Sequence, residues 1–193
     1  MKTIVLASNN KNKIKEFKDI LPDYDIKTLE DIEFFDEIEE TGKTFFENAL
    51  IKAETIHNYL KEKNLDYIVI SDDSGLCATA LNGEPGVYSA RYSGKHGDDK
   101  GCREKLIKNL EGKDKEAYFV CNIVVYYPDG TYKSFEGKTY GEILDKERGN
   151  NGFGYDSIFL SRDLGKSFGE VSNEEKNKVS HRYRAIKAML EEL

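Results

Sequence analysis

The sequence predicts an α/β protein with a central, mixed, twisted sheet flanked by helices, on three observations. Segments with helical apolar spacing alternate with short β-branched runs. Tyr118 to Tyr127 is apolar at nearly every residue, as suits a strand buried on both faces. Pro128-Asp129-Gly130 then turns the chain into a second strand, Thr131 to Tyr140, so at least one hairpin is antiparallel.

The elements follow in order. Thr3 to Ala7 reads as a first strand, because Ser8-Asn9-Asn10-Lys11 ends the apolar run too early for a signal peptide. A helix follows with Ile14, Phe17 and Leu21 on one side. Thr44-Phe45-Phe46-Glu47 has the form of a capping box. Phe45, Ala49, Ala53, Ile56 and Leu60 then recur at helical spacing, and Lys61-Glu62-Lys63-Asn64 makes a solvated end. Ile68, Val69 and Ile70 form a buried strand that is expected to carry Asp72 and Asp73 at its C-terminal end. Residues 98 to 111 make a helix with Cys102, Leu106 and Leu110 inward, Ser157 to Leu160 a short strand, and Val179, Tyr183, Ile186 and Leu190 mark the last helix. The three prolines fall at breaks, and no repeat or linker interrupts the chain, so residues 1–193 are read as a single domain.

Composition narrows the function classes. With 38% hydrophobic and 34% charged residues, and no apolar stretch long enough to cross a bilayer, the chain reads as a soluble protein with no membrane partner. A net charge of −7 argues against a nucleic-acid binder, which needs a basic surface, but leaves room for a small phosphate-bearing ligand. Cys77, Cys102 and Cys121 are odd in number and lack metal-ligand spacing, which fits reduced thiols in the cytoplasm.

Five clusters could carry chemistry, and each also has a purely structural reading. Adjacent carboxylates at Asp72 and Asp73, followed by Ser74 and Gly75, suit a divalent cation and an activated water; alternatively they form a turn in which an Asp bonds its own backbone. Ser8-Asn9-Asn10-Lys11-Asn12-Lys13, between strand and helix, offers open N–H groups and two lysines to a triphosphate; alternatively it is a polar N-cap with exposed lysines. Glu40, before the capped helix, and Lys52, on it, are dipole complement and solvated side chain unless the aspartates meet them. Gly149 to Asp156 surrounds Phe153 with glycines, so that Phe153 could stack a base and Asp156 accept a hydrogen bond from it; a hairpin loop with a tucked Phe is the alternative. Lys176 and Arg182 would lie roughly 120° apart on an unbroken helix. Joint action therefore requires a break near Ser180, with Ser180 capping a helix that runs to Leu193. His57 and His96 read as surface residues.

Taken in order, these motifs resemble the inosine triphosphate pyrophosphatase family almost from end to end. They are Ser8-x-Asn10-x-x-Lys13, Glu40-Thr41-Gly42-x-Thr44-Phe45-x-Glu47-Asn48-Ala49, and Asp72-Asp73-Ser74-Gly75-Leu76. Gly83-x-Pro85-Gly86-Val87-Tyr88-Ser89-Ala90-Arg91-Tyr92, Gly152-Phe153-Gly154-Tyr155-Asp156, Glu175-Lys176-Asn177 and Ser180-His181-Arg182 complete the set. Ser8 replaces a common threonine and keeps the hydroxyl, and Ser157 stands where many members have proline.

The resemblance implies two lobes around the sheet with an active-site cleft, a homodimer, and Mg2+ dependence. It also implies hydrolysis of non-standard purine triphosphates (ITP, dITP, XTP) to the monophosphate and pyrophosphate. By position, it makes Asp73 the proton acceptor and a metal ligand, Glu40 the second carboxylate (with Glu37 and Glu39 close by), and Ser74 a substrate neighbour. Ser8, Asn9, Asn10, Lys11, Asn12, Lys13 and Lys52 would hold phosphates. Phe153, Gly154, Tyr155, Asp156, Lys176, His181 and Arg182 would contact the nucleotide, with donors from His181 or Arg182 favouring a 6-oxo purine over adenine. A pyrimidine triphosphate pyrophosphatase and a nucleotide-binding module without turnover are the competing readings.

Overall fold

The computed structural model describes residues 2–192. In chain order the elements are β1 (Lys2–Leu6), α1 (Lys11–Ile20), β2 (Tyr24–Lys27), α2 (Phe45–Glu62), β3 (Ile68–Ala78) and α3 (Asp99–Asn109). They continue with β4 (Glu116–Tyr126), β5 (Tyr132–Ile143), β6 (Phe159–Ser161), α4 (Asn173–Lys176) and α5 (His181–Leu190). The strands form a six-stranded sheet in the order β2-β1-β3-β4-β5-β6. β1 is parallel to β2 and β3, and β5 is antiparallel to β6, so the sheet is mixed as the sequence predicts.

The chain forms two compact units. One takes the chain up to Asp73, Asn122–Glu136, and the chain from Ala185 onward; the other takes Ser74–Cys121 and Gly137–Arg184. β3, β4 and β5 each contribute residues to both.

In the first unit, α2 starts where Thr44 caps it: its hydroxyl accepts from the Glu47 N–H while Glu47 reaches back to the Thr44 N–H. Ala49, Ala53, Ile56 and Leu60 on its inner face join Val5, Val69 and Val124 of the strands in one apolar cluster. Burying each large aliphatic side chain there contributes about 1.5–3 kcal/mol before entropy is counted. In the second unit, Cys102, Leu106 and Leu110 of α3 pack into a cluster with Leu76, Phe119 and Phe159, where the Phe119 and Phe159 rings meet edge to face at 4.7 Å.

The structure departs from the sequence reading at five points. β2 was not foreseen: it has four residues, two of them charged, and lies at the sheet edge, so it lacks an apolar run to announce it. The strand expected at Ser157 to Leu160 is Phe159–Ser161, because residues Asp156–Ile158 form a turn of 3-10 helix instead. Leu190, expected as a marker of the last helix's apolar face, is exposed, and Ala185, Ile186 and Met189 are buried. His57, expected on the surface, is buried against Tyr126 with ring centroids 4.6 Å apart, and burial pushes its imidazole pKa down. The last helix, expected to run to Leu193, ends at Leu190, and residues 191–192 form a turn; Leu193 itself lies outside the described residues.

Candidate active site

In the first unit, strand register creates a carboxylate cluster. Among the described residues β1 pairs with β3 at Ile68, Val69 and Ile70, and the Ala7 N–H to Ile70 carbonyl bond (2.8 Å) is the last link before the chain leaves for α1. β3 continues for several residues past that point. Asp72 and Asp73 therefore lie in mid-strand and not at a strand end, and Gly75 makes no turn. They still occupy the C-terminal edge of the β1–β3 parallel pair, where a departing strand leaves room for a ligand.

Both aspartates are buried, and the cations that balance them come from two helices. Lys13 of α1 places Nζ 3.1 Å from Asp72 Oδ2. Lys52 of α2 is buried, donates to the Asp72 carbonyl at 2.8 Å and pairs with Glu40 at 3.2 Å, so the expectation of a solvated lysine fails. Asn48, one turn before Lys52, donates to Asp73 Oδ2 at 3.0 Å and accepts from the Gly42 N–H at 2.8 Å. Burial pushes the Asp73 carboxyl pKa up; Lys52 and Lys13 oppose this, the Glu40 charge adds to it, and the Asn48 hydrogen bond opposes it. The net direction is upward. Glu37 and Glu39 are exposed, whereas Glu40 is half-buried beside Lys52.

The α1 entrance is more closed than its sequence suggests. Asn10 caps the helix, its side chain accepting from the Asn12 and Lys13 N–H groups, and the Asn10 N–H goes to the Ser8 hydroxyl. Several donors expected to be open to phosphate are thus already used to shape the loop. Asn9, Asn10, Lys11 and Asn12 are exposed, while Lys13 turns in to Asp72.

The second unit gathers the other candidates. Asp156 is buried, and its Oδ2 accepts from the Phe153 N–H at 2.9 Å and from Lys176 Nζ at 2.8 Å, an ion pair with both side chains about 3% exposed. Lys176 Nζ also lies 4.8 Å from the Phe153 ring centre. Gly152 has φ +76°, and a Cβ there would overlap the Asp156 carboxylate, so glycine is required. Tyr155 donates to the Ser89 carbonyl at 2.7 Å.

The break at Ser180 is present. α4 stops at Lys176, and the buried Ser180 accepts the Tyr183 N–H at 3.1 Å at the start of α5. His181 and Arg182, in the first turn of α5, are buried. His181 stacks on Phe119 at 4.8 Å with the rings 13° apart. Arg182 donates to the Ser74 hydroxyl at 2.9 Å.

The sequence-predicted residues therefore fall into two sets. The first unit holds Ser8 to Lys13, Glu40, Lys52 and Asp73; the second holds Ser74, Phe153 to Asp156, Lys176, His181 and Arg182. Sequence reasoning missed Asn48 as a member of the first set. Its spacing of four from both Thr44 and Lys52 was the available signal, since such residues share a helix face.

A mixed sheet carrying a buried, lysine-balanced carboxylate cluster beside a capped helix start is the framework of an α/β enzyme acting on an anionic substrate. The Ham1 family model matches residues 4–192, and the chain belongs to that family. A Bacillus licheniformis protein named dITP/XTP pyrophosphatase is 47% identical over 194 residues, covering 98% of this chain and 96% of that one. A Campylobacter jejuni protein of the same name is 46% identical over 187 residues, with 95% and 92% covered. The solved structure of the Staphylococcus aureus Ham1 protein is 48% identical, covers 98% of each chain and superposes with a TM-score of 0.84. The α/β fold with its mixed sheet is thus the fold of this family.

Proposed function

We propose that this protein is a nucleoside-triphosphate pyrophosphatase that hydrolyses dITP, ITP and XTP to the monophosphate and pyrophosphate. The observation that carries the reading is the buried Asp73 carboxylate, made more basic by its surroundings, in a chain alike over its full length to dITP/XTP pyrophosphatases. Asp73 orients a water and accepts its proton as the oxygen attacks the α-phosphorus. The bond from the α-phosphorus to the bridging oxygen breaks, and pyrophosphate leaves with the electron pair. Lys13 and Lys52, with Lys11 and the polar residues Ser8, Asn9, Asn10 and Asn12 at the α1 entrance, balance the charge on the departing phosphates.

The donor set fits a hard divalent cation. Glu40 and Asp73 offer only carboxylate oxygens, and the Glu40 charge raises the Asp73 pKa, a repulsion that a cation relieves. Mg2+ keeps several water and phosphate oxygens among its ligands, so two protein carboxylates are enough for its side of the site. Mg2+ held by Glu40 and Asp73 would supply charge neutralisation to the polyphosphate.

At the base end, Phe153 offers a stacking face, and Lys176, His181 and Arg182 offer donors to a 6-oxo group. Adenine carries a donor amine there, so the site would leave its own polar groups unpaired, and discrimination of several orders of magnitude can follow. Ser74, Gly154, Tyr155 and Asp156 shape that end. The whole chain is proposed to act as one domain, since three strands contribute to both units, and as a homodimer in the cytoplasm. Its three buried cysteine thiols are compatible with a reducing compartment, and among the described residues no helix is long and apolar enough to cross a membrane.

The test is pyrophosphate release from ITP, dITP, XTP, ATP, GTP, dTTP and UTP, each with and without Mg2+. Mg2+-dependent release from the first three, with little from the rest, is expected. Preference for dTTP or UTP would make the protein a pyrimidine nucleotide pyrophosphatase, and binding without release would make it a nucleotide-binding module.

A further inference from the structure

We propose that Asp99 and Arg103 of α3 are positioning residues that clamp the base loop at Gly154 and thereby set how well the enzyme distinguishes its base. The proposal rests on the assignment of the purine base to the loop around Phe153. Phe153 lies between two glycines of positive φ, Gly152 at +76° and Gly154 at +59°. Glycine imposes little preference of its own on these torsions, so the direction of the Phe153 ring depends on the bonds that hold the loop backbone.

α3 supplies such bonds on both sides of Gly154. The Gly154 N–H donates to Asp99 Oδ2 at 3.2 Å, and the Gly154 carbonyl accepts from Arg103 Nη1 at 2.8 Å. These two groups belong to the successive peptide planes that flank the Gly154 Cα, so both torsions are held. Asp99 and Arg103 are four residues apart on one helix face, the spacing that lets two side chains reach the same peptide. The Arg103 Nε also donates to Glu147 Oε1 at 2.7 Å, so one guanidinium ties together both ends of residues 147–154. A lysine has no planar fork to make the two bonds at once. Within the loop, the Phe153 N–H and the Asp156 N–H close on Asp156 and Phe153, and the Tyr155 hydroxyl anchors the far side on Ser89. The clamp thus acts on the base through Phe153 and the adjoining backbone, without touching it.

The experiment compares wild type, Arg103→Ala, Arg103→Lys and Asp99→Ala in turnover of ITP and ATP. Inhibition by IMP, which carries the base, and by inorganic tripolyphosphate, which lacks it, is measured on each. For Arg103→Ala the KM for ITP should rise on the order of 10-fold with kcat within about threefold, the pattern of a misplaced binding group. The ITP-over-ATP preference should narrow and IMP inhibition weaken in parallel, with tripolyphosphate inhibition unmoved. Arg103→Lys, which keeps the charge and loses the fork, should fall between. If Arg103→Ala does not fold, Arg103→Lys and Asp99→Ala carry the same comparison. Unmoved KM and IMP inhibition in a folded variant would overturn the clamp, as would equal weakening of IMP and tripolyphosphate. Silence of the wild type on ITP would instead overturn the substrate reading beneath it, and the clamp with it.

Discussion

Asn48 of α2 donates to Asp73 of β3 at 3.0 Å, a buried hydrogen bond that fixes one oxygen of a carboxylate whose pKa burial has raised. If Asp73 is the proton acceptor, Asp73→Asn keeps the shape and an acceptor for Asn48 while removing the base. Turnover of ITP should fall by roughly 10²–10⁴-fold, the usual worth of a positioned base, with nucleotide affinity largely kept. Pyrophosphate release and calorimetric titration check the two halves. Lost affinity with residual turnover would move Asp73 from the chemistry to the binding.

The same carboxylate makes a prediction about pH. Because the folded-state pKa of Asp73 is raised, its contribution to stability is present below the unfolded pKa, about 3.9, and is lost as pH rises through the folded-state value. At pH 7.5, well above the unfolded-state pKa, the buried group therefore opposes folding, and Asp73→Asn should unfold at a higher temperature than wild type. The difference should close as pH falls toward 4. A lower melting temperature for Asp73→Asn at pH 7.5 would mean that Lys13 and Lys52 outweigh desolvation.

Glu40 is distinguished from Glu37 and Glu39 by its place beside Lys52 and by its effect on Asp73. Millimolar Mg2+ should raise the melting temperature of the wild type without any nucleotide, by mass action on the folded state. Glu40→Gln should shrink that rise and increase the Mg2+ needed for half-maximal activity, whereas Glu37→Gln and Glu39→Gln should leave both unchanged. Equal effects from all three would point to a diffuse acidic field and not to a ligand.

Ser180 separates α4 from α5 and sets the first turn in which His181 and Arg182 stand. Ser180→Ala removes a buried cap, which costs about 0.5–2 kcal/mol. For a chain of this length that is a drop of roughly 2–4 °C per kcal/mol in melting temperature. The KM for ITP should also rise, because the cap holds two proposed base contacts. Ser172→Ala, at the exposed cap of α4, should lower stability alone. Thermal unfolding and steady-state kinetics on both variants separate the effects.

How much could be read from the chain depended on the range of the interactions. α2 was legible because a capping box and a helical apolar stripe are local. The Ser180 break was legible because two residues 120° apart on one helix cannot grip one ligand. The mid-strand place of Asp72 and Asp73 was not, since it depends on where β1, more than sixty residues earlier, stops pairing. The burial of His57 was hidden for the same reason, because Tyr126 covers it from a distant strand. At the α1 entrance both readings were partly right: Asn10 is a structural cap, while Lys13 turns inward to a buried carboxylate.

The buried pair of Lys176 and Asp156 joins the base loop to α4, and its energetics can be separated from substrate contact. Asp156 holds Lys176 and the Phe153 N–H through one oxygen. Asp156→Ala therefore strands a buried ammonium and an amide, and breaking such a pair from one side costs about 3–5 kcal/mol. Lys176→Met strands the carboxylate instead, at a similar cost. The double change leaves neither charge unpaired, so its loss of stability should be well below the sum of the two, with a coupling of roughly 1–3 kcal/mol in urea unfolding. If Lys176 also donates to the base, the double variant recovers stability without recovering the KM for ITP. Recovery of both would make Lys176 a brace for the loop and assign the 6-oxo contact to His181 and Arg182 alone.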